Sequence, residues 1–303
     1  MRLFLVRHGE TEHNVAGLLA GVSDSRLTNH GVLQTQRLGQ YLAAHRNLRF
    51  THIYASDLQR AYMTAEEIQR HQLGQWSLQH SVPEVVKLDL LREQDFGSFE
   101  LLPWASKRAQ QAFESHPPVS ADQNFRPQET SESMATRAQI FLDNFIMPLL
   151  ATGPDNLLNS TNPMSQDCVA VVSHGLFLSV LWQSLLRKFN AGSVRLGPNI
   201  EVGGYLRPLE YLPSWNNTAF LEVTIERPTA IAPTDASPLN LTSDTAAPTP
   251  NLDGHSMVVH AINGRDHLVD LKRARGGLGH TSASSEATFA SYTDKTMASS
   301  ALL

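Results

Sequence analysis

The residues best suited to chemistry lie in one short run near the amino terminus, Arg-His-Gly-Glu-Thr-Glu-His-Asn at positions 7–14. Arg7 presents a planar fork of donors that matches phosphate oxygens. His8 beside it offers an imidazole, a nucleophile that works near neutral pH without a metal. Gly9 allows the backbone to turn tightly beside a bound anion. The run therefore combines a group suited to bind phosphate, Arg7, with a candidate nucleophile, His8.

Three further clusters carry groups that phosphoryl transfer requires. Ser56 and Arg60 lie one helical turn apart, so both can face one ligand. Glu93 supplies a carboxyl group that could protonate a leaving oxygen. His174, followed by Gly175, opens a predicted helix, where a protonated imidazole and the helix start would both favour bound phosphate. Each cluster alone is more often ordinary surface or cap chemistry, and only their coincidence favours a site.

The predicted elements alternate between strand and helix. Apolar runs and helical periodicity predict strands at 2–6, 51–55, 84–90 and 168–173 and helices at 29–45, 57–71 and 175–189. This alternation is typical of α/β folds, so we predict a three-layer sandwich with a mainly parallel central sheet, helices on both faces and a small helical cap. Because the carboxyl ends of parallel strands meet at one edge of the sheet, we expect the four clusters to converge there.

Local signals predict the starts of two helices and one further strand. Thr28 and Asp57 each precede a helical pattern, and both are residue types that cap helices. The segment 218–226 alternates apolar and polar residues, which predicts a strand at the edge of the sheet.

Composition divides the chain into three parts. We predict a catalytic domain over residues 1–226, with the cap at about 98–135. Residues 227–255 are rich in Pro, Thr, Ala and Ser, which predicts a flexible linker. In the tail, 256–303, the segment 257–262 has strand propensity, and the Gly-, Ser- and Ala-rich remainder is predicted to be disordered.

Composition and charge exclude several classes of protein. The 303-residue chain is 41% hydrophobic, enough for a packed α/β core, and its formal net charge is only −5. Without an overall positive field we expect neither nucleic acid nor membrane as a partner. The first seven residues are too short an apolar run, and too soon interrupted by charge, to predict a secretory signal, and the single cysteine, Cys168, fits a reducing compartment. We predict a cytoplasmic location, with the nucleus as the alternative, and make no prediction of oligomeric state.

No metal or cofactor is expected from the sequence. The chain has 13 His residues, but no His-Glu-x-x-His and no grouped Cys and His pairs. An Arg-rich pocket would also repel a dication. The sequence has no P-loop, which disfavours a bifunctional kinase.

Together these residues resemble the histidine phosphatase superfamily, in the branch of cofactor-dependent phosphoglycerate mutases, fructose-2,6-bisphosphatases and broad-specificity phosphatases. The resemblance covers about residues 1–226, and the tail from Asp266 is similar to that of some fungal members. It rests on the run 7–14, Gly21, Asp24, Leu27-Thr28, Ser56, Arg60, Glu93 with Gly97, and Ser173-His174-Gly175.

The resemblance implies a metal-independent phosphomonoester hydrolase that acts on a small phosphorylated metabolite through a phosphohistidine at His8. Glu93 is the implied general acid. The implied phosphate- and substrate-binding residues are Arg7, Asn14, Gly21, Ser56, Arg60, His174 and Gly175.

Two alternative functions stay open. A phosphotransferase of the phosphoglycerate mutase type would need extra cations over the pocket, and residues 98–133 offer only Lys107, Arg108 and Arg126. These cations could still steer an anionic substrate such as a sugar bisphosphate. A protein that binds phosphorylated ligands without turnover is the second alternative, which the presence of His8 disfavours.

One position departs from the family pattern. Glu100 is followed by Leu101, where relatives often carry an acidic residue followed by Gly. The departure leaves open whether Glu100 shares the acid role with Glu93.

Overall fold

The computed structural model describes residues 1–73, 82–106, 124–151, 167–198, 200, 208–211, 214–227, 252 and 254–273. Its centre is a sheet of seven strands: β1 (Arg2–Arg7), β2 (His52–Ser56), β3 (Val85–Leu88), β4 (Cys168–Ser173), β5 (Val194–Leu196), β6 (Phe220–Glu226) and β7 (Ser256–Gly264). The described α-helices are α1 (Glu12–Ala16), α2 (Asn29–Gln40), α3 (Gln59–Gln72), α4 (Ser131–Phe141), α5 (Met147–Ala151) and α6 (Gly175–Leu186). π-helical turns at Tyr41–His45 and Leu142–Ile146 continue α2 and α4.

Six of the seven strands in this sheet run in the same direction. Their order is β3-β2-β4-β1-β6-β7-β5, and β3, β2, β4 and β1 pair in parallel. β6 is antiparallel to both of its neighbours, whereas β7 and β5 pair in parallel. The mainly parallel sheet predicted from the alternation of elements is therefore confirmed.

The edge position predicted for the strand at 218–226 is wrong. β6 lies between β1 and β7, so neither of its sides is open. Its alternation of apolar and polar residues suggested a solvated face, but Glu222 is buried and forms ion pairs with Arg2 and Arg46. A buried carboxylate with two arginine partners gives the same sequence pattern as an exposed one.

Strand β4 shows why helices cover both faces of the sheet. All six of its residues are buried. Val169 and Val171 belong to a hydrophobic core that includes residues of α4 and α6. Ala170 and Val172 belong to a second core with residues of α2 and α3. A strand covered on both faces reads as a continuous apolar run, and the predicted three-layer arrangement is confirmed.

The two predicted helix caps have different outcomes. Thr28 caps α2, since its Oγ1 accepts a hydrogen bond of 2.9 Å from the Gly31 amide. The prediction for Asp57 is wrong, because α3 starts two residues later and the Asp57 carboxylate forms a two-pronged ion pair with Arg92. Both oxygens of the Asp57 carboxylate accept from the Arg92 guanidinium, so the side chain is directed to Arg92 and not to the start of the helix.

Several predictions fall partly outside the described residues: 107–123 of the cap, most of the linker 227–255 and the tail after 273. Within the predicted cap, the described residues form a 3₁₀ turn at Gly97–Phe99 and the start of α4. The segment predicted as a strand at 257–262 lies within β7, which a 3₁₀ turn at Asp266–Leu268 follows. The division into domain, linker and tail stays a prediction.

Candidate active site

The predicted site residues meet at the edge of the sheet where the parallel strands end. His8 follows β1, Ser56 is the last residue of β2, and His174 follows β4. The register sets them side by side, because Arg7 pairs with Ser173 across the β1–β4 ladder. The ring centroids of His8 and His174 lie 5.1 Å apart. The convergence expected from strand order is therefore present for these two histidines.

The structure holds His8 as a neutral imidazole with one free lone pair. Its side chain is buried, and Nδ1 lies 2.7 Å from the Gly9 carbonyl oxygen. A carbonyl can only accept, so Nδ1 carries the proton and Nε2 keeps its lone pair. Burial lowers the pKa of His8 well below 6.5, and the charges of Arg60 and Arg7 lower it further. At neutral pH, Nε2 is available as a nucleophile.

His174 has the opposite tautomer. Its Nδ1 accepts a hydrogen bond of 3.2 Å from Nε of Arg60, so the proton of the neutral ring lies on Nε2. That nitrogen is buried and has no hydrogen-bond partner among the described residues. Burial, with the charge of Arg60 second, lowers the pKa of His174 well below 6.5. His174 therefore offers an anion a neutral N–H donor, rather than the protonated ring considered from the sequence.

Arg60 is fully buried in the first turn of α3. Besides its bond to His174, it donates to the carbonyls of Ser23 (3.0 Å), Gly21 (2.7 Å) and Ala20 (3.2 Å). Four of its five N–H groups thus donate to described residues. The remaining Nη1–H makes no hydrogen bond to a described residue, although Nη1 lies 3.9 Å from Oδ1 of Asp24, and it can still donate to a ligand. Burial lowers the pKa of Arg60 to about 10, so it stays charged at neutral pH.

The loop 20–23, whose carbonyls accept hydrogen bonds from Arg60, is also bound by Glu100. The Glu100 carboxylate accepts hydrogen bonds of 3.0 to 3.2 Å from the amides of Gly21, Val22, Ser23 and Phe96. A Cβ at Gly21 would lie 1.9 Å from the Gln94 carbonyl oxygen, so only glycine fits there. Glu100 therefore anchors this loop through bonds that occupy both of its oxygens.

Arg7 and Gly175 lie side by side at the same edge. Nη1 of Arg7 donates to the Trp215 carbonyl oxygen at 2.5 Å. Trp215 is fixed in turn, because its indole N–H donates to Ser179 at 3.0 Å. A Cβ at Gly175 would lie 3.8 Å from Nε of Arg7, which is ordinary contact. Gly175 therefore places the start of α6 next to the Arg7 guanidinium.

Glu93 lies against the amino terminus of α6. Its carboxylate accepts hydrogen bonds from the amides of Phe177 (2.9 Å) and Leu176 (3.1 Å). The amide of Gln94 donates a third bond of 3.1 Å. Since His174 is the N-cap residue of the same helix, these bonds place a carboxyl group beside the histidine pair.

Sequence reasoning missed Asn217. Its side-chain amide donates at 3.1 Å both to the His8 carbonyl oxygen and to Oδ1 of Asn14. These bonds use the oxygen of Asn14 and leave its Nδ2 as the donor side. The signal was the pair Asn216-Asn217 before β6, which starts at the site edge because it runs antiparallel. Because this strand was predicted at the edge of the sheet and not next to β1, the pair was not considered as part of the site.

Ser56 is enclosed within the turn between β2 and α3. It is fully buried, and its Oγ accepts a hydrogen bond of 3.3 Å from the Leu58 amide. The hydroxyl therefore shapes the turn that leads into Arg60.

Two searches concern only the described residues. Among them, no group of three or more His, Cys, Asp or Glu side chains could hold a metal ion. Their helices are all too short or too polar to cross a membrane. The cytoplasmic location stays a prediction.

Known proteins are similar to this chain in sequence. A family model described as the histidine phosphatase superfamily (branch 1) matches residues 3–199. A probable phosphatase of Schizosaccharomyces pombe is 32% identical over 223 residues, which cover 73% of this chain and 64% of that protein. The chain thus spans less than two thirds of that relative's length. Fructose-2,6-bisphosphatase TIGAR B of Danio rerio is 32% identical over 200 residues, covering 59% of this chain and 72% of that protein.

Solved structures share the fold at lower identity. Mycobacterial hydrolase 1 aligns with a TM-score of 0.55 and 19% identity, over 87% of this chain and 99% of that one. A mycobacterial glucosyl-3-phosphoglycerate phosphatase complexed with VO3 aligns with a TM-score of 0.51 and 21% identity, over 74% of this chain and 91% of that one. These likenesses show the fold alone. The family match covers more than half of the sequence, and the chain belongs to the histidine phosphatase superfamily, branch 1.

Proposed function

We propose that this protein is a metal-independent phosphomonoester hydrolase that acts through a phosphohistidine intermediate. The observation that carries the proposal is the state of His8, a buried neutral imidazole whose Nδ1 proton is held by Gly9. This arrangement leaves Nε2 as the nucleophile. His174 lies beside it with an N–H that has no acceptor among the described residues.

The proposed reaction has two steps. Nε2 of His8 attacks the phosphorus atom, the bond from phosphorus to the leaving oxygen breaks, and Glu93 donates a proton to that oxygen. Water then attacks the phosphohistidine while the Glu93 carboxylate takes up its proton, which releases inorganic phosphate and restores His8. Glu93 is suited to both steps because three backbone amides hold its carboxyl group next to His174.

Four donors are assigned to the phosphoryl oxygens: the Arg7 guanidinium, Nε2–H of His174, the remaining Nη1–H of Arg60, and Nδ2 of Asn14. Fixed donors of this kind stabilise charge that develops in the transition state. The other predicted binding residues have supporting roles: Gly21 supplies a carbonyl to Arg60, Ser56 shapes the turn before it, and Gly175 places α6 beside Arg7.

The substrate class is a small phosphorylated metabolite. A relative in the family is named fructose-2,6-bisphosphatase, so sugar bisphosphates are the first compounds to test. Hydrolysis is favoured over mutase transfer because Arg126, one of the three cations that the sequence offers between residues 98 and 133, is paired with Asp95 at 2.8 Å on an exposed surface. Incubation with 3-phosphoglycerate and catalytic 2,3-bisphosphoglycerate distinguishes the two reactions, because hydrolysis releases inorganic phosphate and mutase transfer forms 2-phosphoglycerate. Isomer formed ten times faster than phosphate would establish the mutase instead.

Replacement of His8 tests the proposal directly. We expect His8→Ala to lose turnover by a factor on the order of 10⁶, as removal of a nucleophile typically does. After a rapid quench with ³²P-labelled substrate, wild type should carry acid-labile, base-stable label at His8. The control is His45→Ala, an exposed histidine on the turn after α2, which should keep wild-type activity. Stable label at any other residue would contradict the proposal.

A further inference from the structure

The segment 265–273, called here the C-terminal segment, lies against the elements that carry the catalytic residues. It follows β7 and lies beyond the residues matched by the family. Arg37 of α2 donates to the Val269 carbonyl oxygen at 2.8 Å, and the Tyr41 hydroxyl donates to Asp266 at 3.2 Å. Contacts with α2 and with the turn after it therefore hold the segment in place.

His267 is the buried residue of this segment. Its ring lies against those of Phe220 and Tyr41, with centroids 6.1 and 6.0 Å away. Its Nε2 is 3.0 Å from Oγ1 of Thr218. The Thr218 hydroxyl donates its own proton to the Asn217 carbonyl at 2.7 Å, so it must accept from His267. His267 thus acts as a donor to the turn that precedes β6.

That turn holds the backbone of the nucleophile. The Thr218 amide lies 3.1 Å from the carbonyl oxygens of both Arg7 and His8. The Asn217 side chain donates to the same His8 carbonyl and to Asn14. Thr218 has a φ of +56°, a conformation unfavourable for a β-branched residue. The hydrogen bond from His267 offsets part of that cost.

A second contact joins the C-terminal segment to the run that contains the nucleophile. Arg273 forms an ion pair with Glu10, two residues after His8. The Glu10 carboxylate is buried and also accepts a bond of 2.7 Å from Thr28. A buried carboxylate is costly unless it is paired, so Arg273 stabilises this conformation of the run.

We propose that His267 is a positioning residue of the active site, which holds the Asn217-Thr218 turn against the His8 carbonyl through Oγ1 of Thr218. The C-terminal segment is then a part of the catalytic unit. This inference rests on the proposed hydrolysis at His8. The inference assigns a role in that reaction to His267, which lies outside the residues 3–199 that the family model matches.

The test compares two histidine–threonine hydrogen bonds that join β6 or its preceding turn to the chain after residue 255. His267→Phe removes the bond to Thr218 and keeps an aromatic ring in its place. His260→Phe removes the bond of 2.8 Å between β7 and Thr224, which lies near the other end of β6. His267→Gln keeps an N–H donor near the original position. Each variant is assayed with p-nitrophenyl phosphate, and its folded fraction is measured by thermal unfolding.

We expect His267→Phe to lower kcat about tenfold with KM within about twofold, because a small displacement of the nucleophile affects attack more than anion binding. His267→Gln should recover kcat to within about threefold of wild type, and His260→Phe should keep it. Thr218→Ala removes the same bond from the other side. Its loss of kcat should not add to that of His267→Phe in the double variant.

The outcomes separate the inference from the proposed function. Wild-type kcat in folded His267→Phe, or an equal loss in His260→Phe, would overturn the positioning role and leave hydrolysis at His8 intact. If His267→Phe does not fold, Thr218→Ala decides by the same criterion. An inactive wild type, or an active His8→Ala variant, would overturn the proposed function and this inference with it.

Discussion

At the residue scale, the site depends on two neutral histidines with opposite tautomers. Gly9 keeps the proton of His8 on Nδ1, and Arg60 keeps that of His174 on Nε2. One ring therefore presents a lone pair and the other presents an N–H, although their centroids are only 5.1 Å apart. In the proposed reaction, these hydrogen-bond partners suit His8 to nucleophilic attack and His174 to anion binding.

Arg60→Lys should be strongly impaired although the charge is kept. A lysine cannot reproduce the four hydrogen bonds that Arg60 makes to His174 and the loop 20–23, so the His174 tautomer loses its partner. We expect kcat/KM to fall at least tenfold, measured with p-nitrophenyl phosphate. Arg70→Lys is the control, since Arg70 lies exposed on the same helix. Equal activities in the two variants would contradict the role given to Arg60.

Glu93→Gln should slow the hydrolysis of a substrate most when the leaving group of that substrate needs a proton. Alkyl phosphates, whose leaving group must be protonated, should lose far more activity than p-nitrophenyl phosphate. Glu100→Gln is the matched comparison, because both carboxylates bind backbone amides, but Glu100 holds the loop 20–23 whereas Glu93 lies against the start of α6 next to His174. The Glu100→Gln variant should therefore lose activity equally on both substrates. The reverse pattern in the two variants would assign the acid role to Glu100.

At the element scale, the decisive feature is the loop 20–23, which is held between Arg60 and Glu100. It belongs to no regular element, yet its carbonyls orient Arg60 and its amides bind Glu100. Leu101, which follows Glu100, has a φ of +62°. A leucine adopts this left-handed conformation at an energetic cost that a glycine would not have.

Gly21→Ala should therefore reduce both stability and activity. The added methyl group would overlap the Gln94 carbonyl, so the loop must move and the partners of Arg60 move with it. We expect a loss of about 1 to 3 kcal/mol in the free energy of unfolding, as for other overpacked sites. Gly192→Ala is the control, because nothing lies within 4 Å of its Cβ position. Urea unfolding and kcat/KM measure both effects, and unchanged values in Gly21→Ala would refute the argument.

At the scale of the whole molecule, distant parts of the chain complete one site. His8, the proposed nucleophile, follows the first strand, and its carbonyl accepts a hydrogen bond from the turn before β6. That turn is itself bound by the segment after β7. β7 forms part of the same sheet, so the segment 265–273 is placed by the fold and not only by its own contacts.

Buried histidines should also make stability depend on pH. Burial lowers the pKa of His267 from 6.5 to about 4, with Asp266 and Arg37 as the charges that face it. Between these values the unfolded chain binds a proton that the folded chain does not, so stability falls as the pH falls. Between pH 7.5 and pH 5, the titration of His267 should lower the free energy of unfolding by about 2 kcal/mol.

Urea unfolding of wild type and His267→Phe at pH 7.5 and pH 5 measures this contribution of His267 to the free energy of unfolding. The difference in unfolding free energy between the two proteins should shrink by about that amount at pH 5, because the variant lacks the titrating group. A difference independent of pH would contradict the assignment. His260→Phe, which replaces an exposed histidine, should follow wild type.

The sequence by itself determined which residues could form the site and which edge of the sheet they occupy. His8, Arg60, Glu93 and His174 all lie next to the ends of strands that apolar runs predict, and parallel strands end at one edge. Thr28 was predictable as a cap for a similar reason, since its partner amide lies three residues away. These features depend on local periodicity and short spacing.

Only the tertiary structure decided what each side chain does. Asp57 has the residue type of a helix cap, but Arg92, 35 residues away, pairs with its carboxylate. The tautomer of His174 depends on Arg60, 114 residues away, and the His8 backbone depends on Asn217, 209 residues away. Burial and hydrogen bonds across such distances follow from the packing of the sheet and its helices, and no local pattern of residues encodes them.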